Sequence, residues 1–322
     1  MTIHSIRALV HDDMEAVNAL IIEHIQSDIS LLSDLSHHII QSGGKRLRPL
    51  LVLLASRACG YEGRDHIKLA TMVEFFHTAT LLHDDVIDES SLRRGRETAH
   101  TIWGSKASIL VGDYLFTQYI QLMIEMGNLE IMQHLTKMTH DIGCGEIKQL
   151  NYRNNPALSE EDYFDIIRSK TSILFATSAR VSALLSHAST PVQEALENYG
   201  LHLGNAFQLI DDALDYCSDA QTLGKNVGDD LADGKMTLPL IHVLKEGSAQ
   251  QQASVIHALK QGSLEGLPDI LEAIEATGAI DYTKKMALAS SQKAIASLAL
   301  LPPSTYQKGL IDLAHYAVAR AH

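Results

Sequence analysis

The chain has 322 residues, enough for one large domain or two ordinary ones. Hydrophobic residues make up 46% and aromatic residues only 5%, so a core must be built from Leu, Ile, Ala and Val, a balance that favours helices. With 26 Lys and Arg against 39 Asp and Glu the net charge is −13, which excludes a general nucleic-acid surface and leaves basic residues to act locally.

Three cysteines, Cys59, Cys144 and Cys217, lack metal spacing and read as thiols of a reducing compartment. No charged-then-apolar leader occupies the first 15 residues, and no run approaches the roughly 20 apolar residues of a membrane span, so a cytoplasmic protein is expected.

Val10, Met14, Val17, Leu20, Ile21 and Ile25 recur at helical spacing, and residues 6–42 read as two helices. Gly43-Gly44-Lys45-Arg46-Leu47-Arg48-Pro49 then places three cations on a turn ahead of a helix beginning near Leu50. Backbone N–H groups also point outward at a helix entrance, so this turn suits an anion; a solvated basic turn is the competing reading.

Helices over residues 50–60 and 65–88 follow, and the second ends on Leu81-Leu82-His83-Asp84-Asp85-Val86-Ile87-Asp88. Residues four apart on a helix are neighbours, so Asp84 and Asp88 point into one space. At about 4 Å like charges oppose each other by roughly 4 kcal/mol, so an apolar helix with such a cluster invites a cation. Oxygen-only ligands select Mg²⁺ or Mn²⁺, and Mg²⁺ leaves most of its positions to water and phosphate oxygens, so a phosphorylated ligand is the natural third party. His77 lies about 20° from both Asp84 and Asp88 on a helical wheel. It faces the same space or is a hydrogen-bonded structural histidine. Arg93, Arg94 and Gly95 come just beyond the cluster.

Two more helices fit residues 106–152, broken near Gly127-Asn128. Ser159-Glu160-Glu161-Asp162 reads as a helix start, and the helix carries Lys170-Thr171-Ser172 among apolar residues, where a lysine snorkels or meets an anion. Pro191 starts a helix holding Gly200 and Gly204, whose spacing lets a neighbour approach closely. That helix ends on Gln208-Leu209-Ile210-Asp211-Asp212-Ala213-Leu214-Asp215, a second copy of the acidic spacing on an apolar segment. One copy is common on solvated helix faces; two, each among core residues, are hard to assign to a surface.

A glycine-bearing loop from Leu223 to Pro239, carrying Lys225 and Lys235, is suited to closing over a ligand. Residues 240–322 read as further helices, interrupted at 262–268 and at Leu301-Pro302-Pro303. No alternating stretch bounded by turn residues is present, so no strand is assigned. The expected fold is a single all-α domain over residues 1–322, with both acidic clusters facing one cavity.

These motifs, in this order, resemble the trans-isoprenyl diphosphate synthases over nearly the whole chain, and most of all the long-chain bacterial members that make the all-trans side chain of quinones. The resemblance implies that Asp84, Asp85, Asp88, Asp211, Asp212 and Asp215 serve Mg²⁺ ions on the diphosphate of an allylic primer such as farnesyl diphosphate. It implies that Arg93, Lys170, Thr171, Gln208, Lys225 and Lys235 surround that diphosphate or the charge developing beside it. Lys45, Arg48, His77 and Arg94 would bind the diphosphate of isopentenyl diphosphate. By the same resemblance Ala79 and Thr80, five and four residues before the first motif, gate a product tunnel, with Phe116, Tyr119 and Met123 as its floor. A homodimer is the implied assembly. A non-catalytic partner subunit, a terpene cyclase, a metal phosphohydrolase built around His83 and Asp84, and a helical scaffold compete with this reading.

Overall fold

A computed structural model describes residues 2–41, 44–93, 95–217, 227–262 and 264–319, the side chains of residues 40 and 41 excepted. It is all-α apart from one two-residue ladder. Three helices rather than two fill the first stretch: α1 (Ile3–Ala8), α2 (His11–Ile25) and α3 (Ser30–Gln41). The extra start is set by Thr2, whose side chain accepts the Ser5 N–H at 3.4 Å and caps α1 ahead of the periodic residues. α4 (Leu47–Ala58) begins three residues before Leu50, because Pro49 falls in a first turn, where the N–H it lacks has no helical partner. α5 (Asp65–Ile87) ends where the spacing predicts, with Asp88 as its C-cap.

The short strands β1 (Leu92–Arg93) and β2 (Arg96–Glu97) pair antiparallel, Leu92 opposite Glu97. The sequence reading assigned no strand: two residues show no alternation, and only Gly95, at φ 74°, marks the turn. α6 (Ala99–Trp103) is a further short helix, and α7 (Ser105–Met126) and α8 (Leu129–Asn151) part at Gly127 as expected. α9 (Glu160–Ile167) passes through a π turn (Arg168–Ser172) into α10 (Ile173–Leu185), and α11 (Thr190–Leu214) carries the second acidic motif. Helices Asp229–Ala232, Leu238–Glu246, Ala249–Gln261, Leu267–Thr277, Ala279–Ser297 and Thr305–Ala319 complete the described chain. None of its helices is long and apolar enough to cross a membrane.

The chain divides into two compact units. One comprises Met1–Thr136, Thr177–Glu197 and Leu298–Leu313, the other Lys137–Ala176, Asn198–Ser297 and Ala314–His322. The first is built around α4, whose Leu50, Leu51, Val52, Leu53 and Leu54 are all fully buried, as a helix apolar all round must be. α5 packs on α2, α4, α6 and α7. Arg57 of α4 clamps Asp13 of α2 through Nε and Nη2 at 2.8 and 2.7 Å, a forked pair that fixes their register. Arg46, left-handed at φ 44°, turns its guanidinium to Glu74 of α5 at 2.8 Å and so anchors the entrance of α4.

The second unit buries Tyr163, Ile166, Leu209, Ile210, Leu238, Leu240, Val255, Leu259 and Ile270 in one cluster. Here α11 lies against the π turn and the first turn of α10 with no side chain between. A Cβ on Gly204 would sit 2.6 Å from Ser172 Cα; one on Gly200 would sit 2.6 Å from the Phe175 carbonyl carbon and 2.7 Å from Ala176 Cα. Both neighbours are backbone and cannot swing aside. Gly200→Ala is therefore expected to destabilise the protein: overpacking of about 1–3 kcal/mol outweighs the helix-propensity gain of about 1 kcal/mol. A thermal melt of the variant checks the sign.

Candidate active site

In the first unit the last turn of α5 presents Asp84 and Asp88, both half-buried, with the Asp88 N–H bonded to the Asp84 carbonyl at 2.8 Å. Asp85, between them in sequence, is 1% exposed. Its Oδ1 accepts from Arg93 Nη2 at 2.6 Å and from Arg93 Nε at 2.7 Å, so β1 is tied back to the acidic turn. Its Oδ2 is buried without a hydrogen-bond partner among the described residues. A buried carboxylate oxygen left in that state is a place a cation would satisfy.

Seven residues earlier, His77 Nε2 lies 3.0 Å from Arg48 Nη1. A guanidinium only donates, so Nε2 is the acceptor. Two residues assigned to the same substrate are thus in direct contact across α4 and α5. Lys45 is exposed, and the Gly44 carbonyl beside it accepts from Arg7 Nη2 at 3.1 Å. His83 turns to α7 instead: its Nε2 is 3.2 Å from the Ile109 carbonyl, and a Cβ on Gly112 would come within 2.7 Å of its ring. His83 Nε2 also lies 3.4 Å from Asp113 Oδ1, so the histidine beside Asp84 is engaged by the backbone and a carboxylate of α7.

Ala79 is buried at 3% exposure; Thr80 donates its hydroxyl to the His77 carbonyl at 2.8 Å. α7 supplies Phe116, Tyr119 and Met123, the last two buried. The Phe116 and Tyr119 rings meet Phe76 of α5 at 6.2 and 5.3 Å between centroids.

In the second unit the π turn carries Lys170 and Thr171. Lys170 Nζ donates to Glu146 Oε2 at 2.7 Å and Gln149 Oε1 at 2.8 Å, both on α8, so the anion this lysine meets within the chain is a carboxylate. Thr171 Oγ1 donates to Gln208 Oε1 at 3.0 Å, and Gln208 Nε2 donates to Asp212 Oδ1 at 2.7 Å. Tyr163 of α9 donates to Asp212 Oδ2 at 2.5 Å.

Burial pushes Asp212 up to about 7; Asp230 nearby adds to the rise, while the hydrogen bonds from Tyr163 and Gln208 oppose it and Asp211 raises it further. The same burial, with Asp212 beside it, holds Tyr163 well above the ordinary phenol value. Asp211 is half-buried.

Asp215 falls just beyond the end of α11 and turns to the loop-and-short-helix segment 227–235, which includes Asp229–Ala232. Its Oδ2 accepts the Asp230 N–H at 3.2 Å and its carbonyl the Gly228 N–H at 2.9 Å. That loop closes on Lys235, whose Nζ bonds Asp233 Oδ2 at 2.9 Å, and on Gly234, at φ 69°, whose carbonyl accepts the Asn154 N–H at 2.9 Å. Arg94 and Lys225, two further residues assigned to diphosphates, lie outside the described residues.

The donor set fits a hard divalent cation. Every candidate ligand is a carboxylate oxygen, and Asp84, Asp88 and Asp211 are the half-buried members of the two sets, while Asp85, Asp212 and Asp215 hold protein groups. Among the described residues no three His, Cys, Asp or Glu side chains gather closely enough to hold a metal ion by themselves. One or two carboxylates per ion, completed by water and phosphate, is the habit of Mg²⁺. Tyr163, Glu146 and Gln149 escaped the sequence reading. Their partners lie 49, 24 and 21 positions away, and no local pattern announces such pairs.

An all-α fold with two aspartate-tipped helices, a Lys-Thr turn and a basic helix entrance is that of an isoprenoid synthase. The description "Polyprenyl synthetase" belongs to the family model that matches residues 29–275. The octaprenyl diphosphate synthase of Escherichia coli K12 is 44% identical over 321 residues, 99% of each chain. The all-trans-nonaprenyl-diphosphate synthase (geranyl-diphosphate specific) of Rhodobacter capsulatus is 40% identical over 98% of this chain and 97% of its own. Among solved structures, polyprenyl synthase from Caulobacter crescentus CB15, complexed with calcium and isoprenyl diphosphate, superposes with a TM-score of 0.96 at 40% identity, covering 100% of this chain and 98% of that one. The chain belongs to the polyprenyl synthetase family. It is a prenyltransferase of isoprenoid biosynthesis, a long-chain trans-prenyl diphosphate synthase.

Proposed function

We propose that this chain is an all-trans octaprenyl diphosphate synthase that supplies the side chain of ubiquinone. It adds isopentenyl diphosphate head-to-tail, unit by unit, to an allylic primer such as farnesyl diphosphate. The observation that carries the chain length is the 44% identity, end to end, with the octaprenyl enzyme; the nonaprenyl relative at 40% favours a neighbouring length as the second reading. The working protein is a cytoplasmic homodimer, and residues 1–322 serve as a single polyprenyl synthase domain.

In this reading Asp84, Asp88 and Asp211 hold Mg²⁺ against the allylic diphosphate, and the calcium and isoprenyl diphosphate of the Caulobacter structure support a divalent ion in that role. Bound Mg²⁺ supplies Lewis-acid charge that favours departure of the diphosphate. Lys170, Arg93, Lys225 and Lys235 add positive charge around the leaving group as the allylic C–O bond ionises. Asp85 and Asp212 act on the site through what they hold, Arg93 on one side and Gln208 on the other. Thr171 and Gln208 present oxygen atoms to the carbocation side of the primer. Lys45, Arg48, His77 and Arg94 grip the isopentenyl diphosphate so that its double bond faces the cation; this positioning replaces a bimolecular encounter by a local one. The departing pyrophosphate takes the proton. Ala79 and Thr80, small and five and four residues ahead of Asp84, leave the growing chain room to pass, with Met123 toward the floor.

Incubation with farnesyl diphosphate, labelled isopentenyl diphosphate and Mg²⁺ tests the reading. Octaprenyl diphosphate as the main product is the expected result, and its loss on chelation is expected with it. Release of inorganic phosphate alone would move the assignment to a phosphohydrolase. No turnover at all would move it to a partner subunit.

A further inference from the structure

We propose that Tyr163 is a positioning residue, whose hydroxyl clamps Asp212 and through it sets the Gln208–Thr171 pair; the inference rests on the prenyl-transfer reading of this site. Tyr163 and Asp212 are both 2% exposed, and the phenol donates to Oδ2 at 2.5 Å. The other carboxylate oxygen takes the Gln208 amide at 2.7 Å. When Asp212 is ionised both its oxygens only accept, and Gln208 then presents its NH₂ to Asp212 and its carbonyl to Thr171, 3.0 Å away. The direction of every hydrogen bond in the row is therefore dictated from Asp212.

Both oxygens of Asp212 are engaged by neutral donors from two different elements, α9 and α11 itself. To turn toward a ligand, the side chain would break both bonds inside a buried site, where an unmet carboxylate oxygen is heavily penalised. Asp212 is thus a fixed post, and its neighbour Asp211 is the half-buried carboxylate of the pair. The π turn contributes at the other end. It holds Thr171 and continues directly from the helix of Tyr163, so the phenol and the hydroxyl approach the Asp212–Gln208 pair from opposite ends. Fixing that row orients the Thr171 and Gln208 oxygens before substrate arrives, which is what preorganised stabilisation of a developing cation requires.

The test is a double-mutant cycle on Tyr163→Phe and Asp212→Asn, read in three ways: turnover and KM for farnesyl and isopentenyl diphosphates, Mn²⁺ affinity by titration without substrate, and thermal melting. For Tyr163→Phe a tenfold or larger drop in turnover is expected, with KM for isopentenyl diphosphate unchanged. A several-fold shift in Mn²⁺ affinity and a melting temperature within a few degrees of wild type are expected beside it. The decisive result is coupling: in the Asp212→Asn background, Tyr163→Phe should remove little further turnover. Wild-type turnover in Tyr163→Phe, or losses that simply multiply in the double variant, would overturn the inference. If Tyr163→Phe does not fold, incorporation of 3-fluorotyrosine, which keeps ring and hydroxyl but changes donor acidity, gives the same readout, and unchanged turnover there overturns it equally. The Mn²⁺ titration needs no turnover, so a wild-type protein that binds Mn²⁺ yet makes no prenyl product would defeat the prenyl-transfer reading and leave the clamp to be judged by the titration.

Discussion

Asp84→Ala is expected to lower kcat/KM for the allylic primer by roughly 1,000-fold at saturating Mg²⁺, a loss of about 4 kcal/mol of transition-state stabilisation. The size follows from where the side chain sits. Asp84 is half-buried on the last turn of α5, one turn from Asp88, and Asp85 between them is occupied by Arg93. Removing Asp84 leaves Asp88 as the half-buried carboxylate of that turn, and Asp85, itself buried, could replace it only by giving up its ion pair with Arg93. Folding should be spared, since a half-buried carboxylate near a helix C-terminus contributes little to stability and is unfavourable to the helix dipole. Steady-state kinetics beside a thermal melt separates the two effects. Full activity in a stable Asp84→Ala protein would remove the metal role from this helix.

Ala79→Tyr is expected to convert the long product into shorter ones, with the wild-type length absent from the chromatogram. Ala79 is 3% exposed on the helix that packs along α7, and α7 carries Phe116, Tyr119 and Met123. A phenol at that position needs new volume. If a product channel runs past Ala79, the ring occupies it, the fold is kept and elongation stops early. If the position is ordinary core, the ring has nowhere to go, and overpacking of about 1–3 kcal/mol appears as a lowered melting temperature with product length unchanged. Product analysis and melting of the same preparation therefore decide between a channel wall and a packed core.

Much of this is readable in the sequence. The 65–88 helix, the break at Gly127, the cap at Ser159 and the close approach at Gly200 and Gly204 all rest on local rules of periodicity, capping and glycine size, and each appears in the structure. The contact of Arg48 with His77 does not follow from those rules: helical arithmetic turns His77 toward the acidic cluster, and the fold brings Arg48 to it. What stays hidden depends on distance along the chain. Helical spacing pairs Asp84 with Asp88; only the fold gives Asp85 to Arg93, Asp212 to Tyr163 and Asp215 to the first turn of the Asp229–Ala232 helix. The ladder at Leu92–Arg93 escapes because two residues have no period, and α1 because a single capped turn precedes the apolar repeat.

The turn at Arg168–Ser172 winds more widely than the helices on either side, so it holds one residue beyond what a uniform pitch would place there. Loss of any one codon in that segment would let the helix relax to regular pitch and would look harmless to a secondary-structure forecast. The segment that follows would keep its register, with Phe175 and Ala176 still on the glycine ridge of α11, while Lys170 and Thr171 within the turn would lose theirs. One-residue deletions within these five positions should therefore spare the fold and cost activity, whereas deletions in the regular helix on either side, which rotate all that follows by about 100°, should cost the fold itself.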